Sequence, residues 1–205
     1  NSLSDQKEDF VPLREGRVTL YVCGPTVYND SHLGHAKTYV SFDVILRYLK
    51  YRGFNTFYVQ NITDVGHLMG DADEGEDKML KRARELELEP MAVAETYTTR
   101  HFQAMDRMGV IRPDICPRAT GHIPEQLEAI EKMIEAGLAY EVNGSVYFDV
   151  SKDPEYGKLS NRSFVEMQEG ARVAVRQEKR NPQDFALWKK AEAGHRASEE
   201  HLYPI

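Results

Sequence analysis

The stretch "RVTLYVCG" (Arg17–Gly24) alternates along its length, is rich in Val, Leu and Tyr, and ends at Gly-Pro. That pattern predicts a buried strand running into a turn. From Gly34 to Gly53 the period changes. Apolar residues fall at Tyr39, Phe42, Ile45, Leu46 and Leu49, which are helical offsets, and Gly53 suits the position just past a helix end. "NTFYVQNIT" (Asn55–Thr63) then predicts a second strand. Strand, glycine-containing loop, helix and strand make a βαβ unit, which implies parallel pairing and a right-handed crossover. Ligands of such sheets bind at the carboxyl ends of the strands. Cys23 ends the first strand and Thr63 the second, so the two are predicted to face one crevice.

Further along, 71–90 predicts a charged helix with an acidic first turn, as the helix dipole prefers. Pro90 starts another helix that stops near Gly109. "RPDICPRAT" predicts an extended linker, and about His122–Ala136 a further helix. "LAYEVNGSVYFDV" predicts a hairpin turning at Asn143-Gly144. Residues 151–180 are polar and irregular, and "DFALWKKAEAG" (Asp184–Gly194) predicts a last short helix. The expected class is α/β: an incomplete Rossmann-type parallel sheet with an α+β connective insertion. The expected divisions are 1–110, the first half of a nucleotide-binding domain; 111–180, the insertion; and 181–205, a return toward the first domain. Two parallel strands make a poor closed core, since open doubly wound sheets usually have about five or six. The sheet is therefore expected to be unfinished within this sequence.

Composition narrows the setting. With 41% hydrophobic and 29% charged residues among 205, the chain suits a globular protein rather than a disordered one. No apolar run approaches the roughly 18 residues of a membrane span. The polar, acidic start lacks a signal peptide's basic and apolar regions, so the protein is read as cytoplasmic, without a membrane partner. Cys23 and Cys116 would stay reduced there. Asn61, Asn143 and Asn161 begin Asn-x-Ser/Thr triplets, which without secretion carry no glycosylation meaning. A net charge of −7 speaks against a broad basic face for nucleic acid, though not against a local patch.

The chemistry concentrates in "CGPTVYNDSHLGHA" (Cys23–Ala36). In "HLGH", Gly34 permits close backbone approach just where the helix begins. A helix N-terminus favours phosphate, and the flanking His32 and His35 imidazoles can donate to its oxygens and stabilise charge growing on a leaving pyrophosphate. The bland alternative makes one histidine a cap and leaves the other in solvent. Cys23 is open to three roles: core filler at a strand end, metal ligand or nucleophile. A zinc ligand needs three partners, and no Cys-x-x-Cys exists. Thr26, Tyr28 and Asn29 lie in the loop where a ligand would touch them. Thr63 and Asp64 need their polar groups satisfied. His67 reads as a surface or capping residue, Trp188 as a packing anchor, and Asp73–Asp77 as a solvated helix start.

These stretches, in order, resemble the cysteinyl-tRNA synthetases: "YVCGPTVYNDSHLGHAKTYVSFDVILRYL", "YVQNITDVGHL", "DADEGEDKM", "RPDICPRATGHI", "GLAYEVNGSVYFDV", "YGKLSNR" and "DFALWK". The match covers about residues 8–190. It implies a class I synthetase with a Rossmann-type catalytic domain, which activates cysteine with ATP and Mg to the adenylate and transfers it to the cysteine tRNA. It further implies His32 and His35 as catalytic residues. Pro25, Thr26, His32, Gly34 and His35 would bind ATP, and Cys23, Gly24 and Thr63 would bind cysteine. Cys23 would be one of four ligands of a single zinc that selects cysteine over serine through its thiolate. The implied state is a monomer. The family's Gly-Trp-His-x-Glu-Cys stretch, its Lys-Met-Ser-Lys-Ser loop and its anticodon-meeting helical domain do not occur before Ile205. The chain is thus expected to be an N-terminal fragment with little or no adenylation alone and weak zinc binding. Leu33 stands where Ile is more usual.

Three other assignments compete. The cysteine ligase of mycothiol synthesis shares the adenylation chemistry and the opening string. A small nucleotidyltransferase also uses His-x-Gly-His but needs neither Cys23 nor the insertion. A non-catalytic nucleotide- or partner-binding module would show neither activity.

Overall fold

The computed structural model describes residues 1–65, 78–160 and 179–190. They fall into two units: one contains 10–65 and 78–123, the other 1–9, 124–160 and 179–190.

In the first unit, β1 (Arg17–Val22) and β2 (Asn55–Gln60) pair in parallel, from Arg17 opposite Asn55 to Val22 opposite Gln60. Helix α1 (Leu33–Tyr51) makes the crossover, so the predicted βαβ unit is present. Its Tyr39 and Leu46, seven residues apart on one face, pack with Val22, Tyr58 and Met105. Gly53, at φ +86°, turns the chain out of α1 into β2, a conformation that favours glycine.

Beyond β2 the expected linker is extended and also paired. Asp114–Ala119 runs parallel along the free edge of β2, with Gln60 N–H donating to Ile115 O (3.1 Å) and Ile62 N–H to Pro117 O (2.8 Å). Pro113 and Pro117 have no N–H to give, which confines this segment to an irregular edge position.

Helices α2 (Lys78–Leu86) and α3 (Pro90–Arg107) close the layer. Pro90 opens α3 and Gly109, at φ +70°, follows its end, as predicted. Val27 and Ile62, from the segments following β1 and β2, form a core with Met79, Ala83, Val93, Ala94 and Tyr97. The acidic start expected for α2, and His67, lie outside the described residues.

In the second unit, α4 (Ile123–Glu135) agrees with the predicted helix. Strands β3 (Ala139–Val142) and β4 (Ser145–Phe148) form the predicted hairpin. Its two turn residues, Asn143 and Gly144, both have positive φ (53° and 85°), as a type I′ turn requires.

The helix predicted at Asp184–Gly194 is not formed over its described part. Phe185–Trp188 is strand β5, antiparallel to β4, with a register irregularity at Val146/Tyr147. A run of four apolar residues, Phe-Ala-Leu-Trp, fits helix or strand equally, and the sheet decides. Phe185 stacks on Phe148 at 5.2 Å, and Trp188 is half-buried opposite Val146. Buried Asp184 anchors the strand's start by accepting from Tyr140 O–H (2.7 Å), Val150 N–H (3.1 Å) and Asn181 N–H (3.0 Å).

Candidate active site at the strand ends

The carboxyl ends of β1 and β2 are locked together by short polar contacts. Val27 N–H donates to Thr63 O at 3.2 Å, and Thr63 N–H to Pro25 O at 3.1 Å. Thr26 and Thr63 are thereby bridged in parallel. Asn61 joins the same network. Its side-chain oxygen accepts from Gly24 N–H (2.7 Å) and Tyr21 O–H (3.0 Å), while its amide N–H donates to the Thr63 hydroxyl (3.1 Å). The structure therefore brings Cys23, Gly24, Pro25, Thr26 and Thr63 together. The Cys23 thiol is exposed. Of the three roles left open for it, core filler is excluded.

The bland prediction for the two histidines holds only in part. His32 is the N-cap of α1 and its Nδ1 accepts Gly34 N–H at 3.0 Å. His35 is not left free: its Nδ1 accepts His32 N–H at 3.1 Å, closing a reciprocal capping box built from two imidazoles. The rings lie 4.1 Å apart. A backbone N–H can be accepted only by an unprotonated ring nitrogen, so each ring carries its proton on Nε2. Both Nε2–H groups remain as donors beside a helix N-terminus, an arrangement suited to an anion. Burial and the neighbouring His32 depress the His35 pKa, which favours this neutral form.

Tyr39 links the two ends. Its hydroxyl donates to the Cys23 carbonyl (3.2 Å), and its ring stacks on His35 at 6.5 Å. Burial pushes its pKa up to about 12, which keeps the hydroxyl protonated and donating. Asp64 is buried and satisfied: it accepts Thr120 N–H (3.1 Å) and Thr120 O–H (2.7 Å). The loop residues Tyr28 and Asn29 line a cleft with Lys78, Lys81, Arg82 and Glu85. There Lys78 Nζ lies 5.5 Å from the Tyr28 ring centre.

Residues 9–201 match the family model described as the tRNA synthetases class I (C) catalytic domain. The chain belongs to that family. It is 60% identical over 200 residues to the cysteine–tRNA ligase of Chlorobaculum tepidum, covering 95% of this chain and 41% of that protein. It is 60% identical over 195 residues to the cysteine–tRNA ligase of Deinococcus radiodurans, covering 95% and 39%. The chain thus spans about two-fifths of the length of these relatives. A solved structure of LeuRS from Agrobacterium radiobacter K84, in a ternary complex with tRNA and LeuAMS, aligns with a TM-score of 0.50. Its identity is 19%, covering 70% of this chain and 18% of that one, so the likeness is one of fold. The resemblance drawn from the motifs and the incomplete Rossmann-type sheet both stand.

The zinc implied by the resemblance finds one donor here. Cys23 presents a thiol at the strand end, but no group of three or more His, Cys, Asp or Glu side chains forms a metal cluster among the described residues. Those residues do not by themselves make a zinc site, which takes three or four ligands. Cys116 is half-buried against the core of Val27 and Ile62.

Three residues that the structure joins to this candidate site were given no role by the sequence pattern: Asn61, Tyr39 and His101. Asn61 stands out in the sequence only as a triplet. Tyr39 is readable as an apolar helix position, its hydroxyl unaccounted for. His101 falls four residues after Tyr97 and four before Met105, on the buried face of α3. A polar residue at an apolar position was the available signal.

Proposed function

We propose that this chain carries the nucleotide and amino-acid half of a cysteine-activating enzyme. In the full-length protein it forms cysteinyl-adenylate and pyrophosphate from cysteine and ATP, then transfers the cysteinyl group to a cysteine tRNA. The observation that carries this proposal is the pairing of two neutral Nε2–H donors at the N-terminus of α1 with the exposed thiol of Cys23, joined through Tyr39.

In the proposed first step the cysteine carboxylate attacks the α-phosphorus of ATP, and the bond to the β-phosphate oxygen breaks. The nucleophile is already ionised, so no general base is required. What the residues supply is placement and charge stabilisation. His32 and His35 donate to phosphate oxygens from Nε2, and the charge moving onto pyrophosphate strengthens those bonds. Gly34 adds no side chain between the rings and the ligand. Pro25 and Thr26 form the nucleotide-side wall, and Gly24 and Thr63, the latter oriented by Asn61, face the amino acid. Zinc ligation by Cys23 is part of the proposal, its other ligands coming from outside the described residues. ATP is taken with Mg, and the connective insertion expected at 111–180 starts after Ile123, because Asp114–Ala119 pairs with β2 in the first unit.

The test is cysteine-dependent ATP–pyrophosphate exchange by the full-length protein, followed by charging of cysteine tRNA. Exchange with cysteine and not serine, followed by charging, is expected. Exchange with no tRNA charging would favour the mycothiol-type ligase. Absence of both exchange and ATP binding in calorimetry would leave a partner-binding module.

A further inference from the structure

His101 lies in the middle of α3 and is 2% exposed. Its Nδ1 is 2.8 Å from the Ser31 hydroxyl, on the residue immediately before the N-cap His32. Its ring meets Tyr39 edge-on at 5.1 Å, and Tyr39 is the residue that holds the Cys23 carbonyl. The turn between Asn29 and His32 has a second tie to α3, an ion pair between Arg100 and Asp30 at 3.1 Å. Both of its members are exposed, and such pairs hold weakly. His101 is the buried tie. Its Nε2 is also buried, with no hydrogen-bond partner among the described residues. An unpaired buried polar nitrogen destabilises a fold, and phenylalanine would fill the same space without that cost. A histidine here is thus a poor choice for packing and a good one for holding Ser31.

We infer that His101 is a positioning residue: through Ser31 it fixes the entry of the chain into the two-imidazole cap, and through Tyr39 it fixes Cys23 relative to that cap. It touches neither ATP nor cysteine, and the inference rests on the adenylation proposed above. Losing the Ser31 contact lets the turn rotate, which swings the Nε2–H donors of His32 and His35 off the phosphate. Displacements of about an ångström in such groups cost up to roughly a hundredfold in rate.

The experiment compares His101→Phe, His101→Asn, Ser31→Ala and the Ser31→Ala/His101→Phe double variant in the full-length protein. Exchange kinetics are measured beside urea unfolding. His101→Phe is expected to raise the KM for ATP about five- to twenty-fold, with an unchanged or higher urea midpoint. Asparagine places an amide where Nδ1 was, so His101→Asn should restore KM to within about twofold. The double variant should be no worse than the poorer single one. Unaltered kinetics in His101→Phe overturn the inference. So does a loss of stability and activity together that asparagine does not rescue, because that pattern means packing alone. Imidazole nitrogen NMR shifts of His32 and His35 give a readout independent of turnover. They should move alike in His101→Phe and Ser31→Ala, and unmoved shifts overturn the inference even if exchange itself is absent. A wild-type protein that shows no exchange sinks the adenylation proposal instead, so the two failures are distinguishable.

Discussion

Gly24 donates its backbone N–H to the Asn61 side chain at 2.7 Å, and it lies so close to the following strand end that a Cβ there would stand 1.5 Å from the Asn61 carbonyl oxygen. The requirement is one of space, not of φ. Two chain segments 37 residues apart in sequence touch backbone to backbone, and this contact sets where Cys23 and Thr63 stand. The same Asn61 orients the Thr63 hydroxyl, so the junction of the two strand ends is built around one amide side chain.

Replacing Gly24 with alanine should therefore destabilise the first unit by about 2–3 kcal/mol, because the obstructing atom is backbone and cannot rotate away. Urea unfolding followed by tryptophan-independent far-UV dichroism measures it. Wild-type stability in Gly24→Ala would contradict the close approach. Asn61→Ala should cost about 1–2 kcal/mol by leaving Gly24 N–H without its acceptor.

Much of this arrangement was legible in the residues. The βαβ unit was readable because period two gives way to period 3.6 and back within 17–63, with Gly-Pro and Gly53 as punctuation. Cys23 and Thr63 were placed in one crevice by strand-end logic alone. The same logic could not reveal the exposure of the Cys23 thiol, which depends on how the loop leaves the sheet. Asp114–Ala119 hid its pairing because two prolines make a strand look like a linker. Phe185–Trp188 hid its strand because its partner β4 lies about 40 residues away. His101 was marked only as a polar residue at an apolar position; its partner Ser31 lies 70 residues earlier and could not be read.

The two thiols should separate cleanly by reactivity. Cys23 is exposed, whereas Cys116 is half-buried and burial pushes its thiol pKa up. Thiolate is the reactive form, so iodoacetamide at pH 8 should label Cys23 several-fold faster than Cys116. Peptide mapping by mass spectrometry over a time course reads the two rates. Faster labelling of Cys116 would contradict the placement of Cys23 at the open strand end.

His101 should also leave a mark on acid stability. Burial first, then the nearby His35 and Arg112 charges, lower its pKa from 6.5 to about 4. Above pH 6.5 the folded and unfolded states bind the same number of protons there, and nothing is gained or lost. Between pH 6.5 and about 4 the unfolded chain binds a proton that the folded chain refuses. Stability therefore falls as the pH is lowered through that window, by about 3 kcal/mol in all. His101→Phe should flatten this limb of the stability–pH curve. An identical acid limb in the variant would assign the loss to other groups.

His32 has two roles that a single substitution can separate. As N-cap it accepts the Gly34 N–H; in the proposed reaction it must donate to phosphate from Nε2. Aspartate is a better cap than histidine, and its charge suits a helix N-terminus. It donates nothing, however, and repels a triphosphate. His32→Asp should therefore keep or raise stability, by about 0.5–1 kcal/mol, while ATP-dependent exchange in the full-length protein falls by roughly a hundredfold or more. His32→Ala removes both roles and should lose about 1 kcal/mol of stability along with activity. Thermal unfolding and exchange kinetics on the two variants give the comparison. If His32→Asp retained activity along with its cap, the imidazole would serve the helix alone, and phosphate stabilisation would pass to His35 and the backbone.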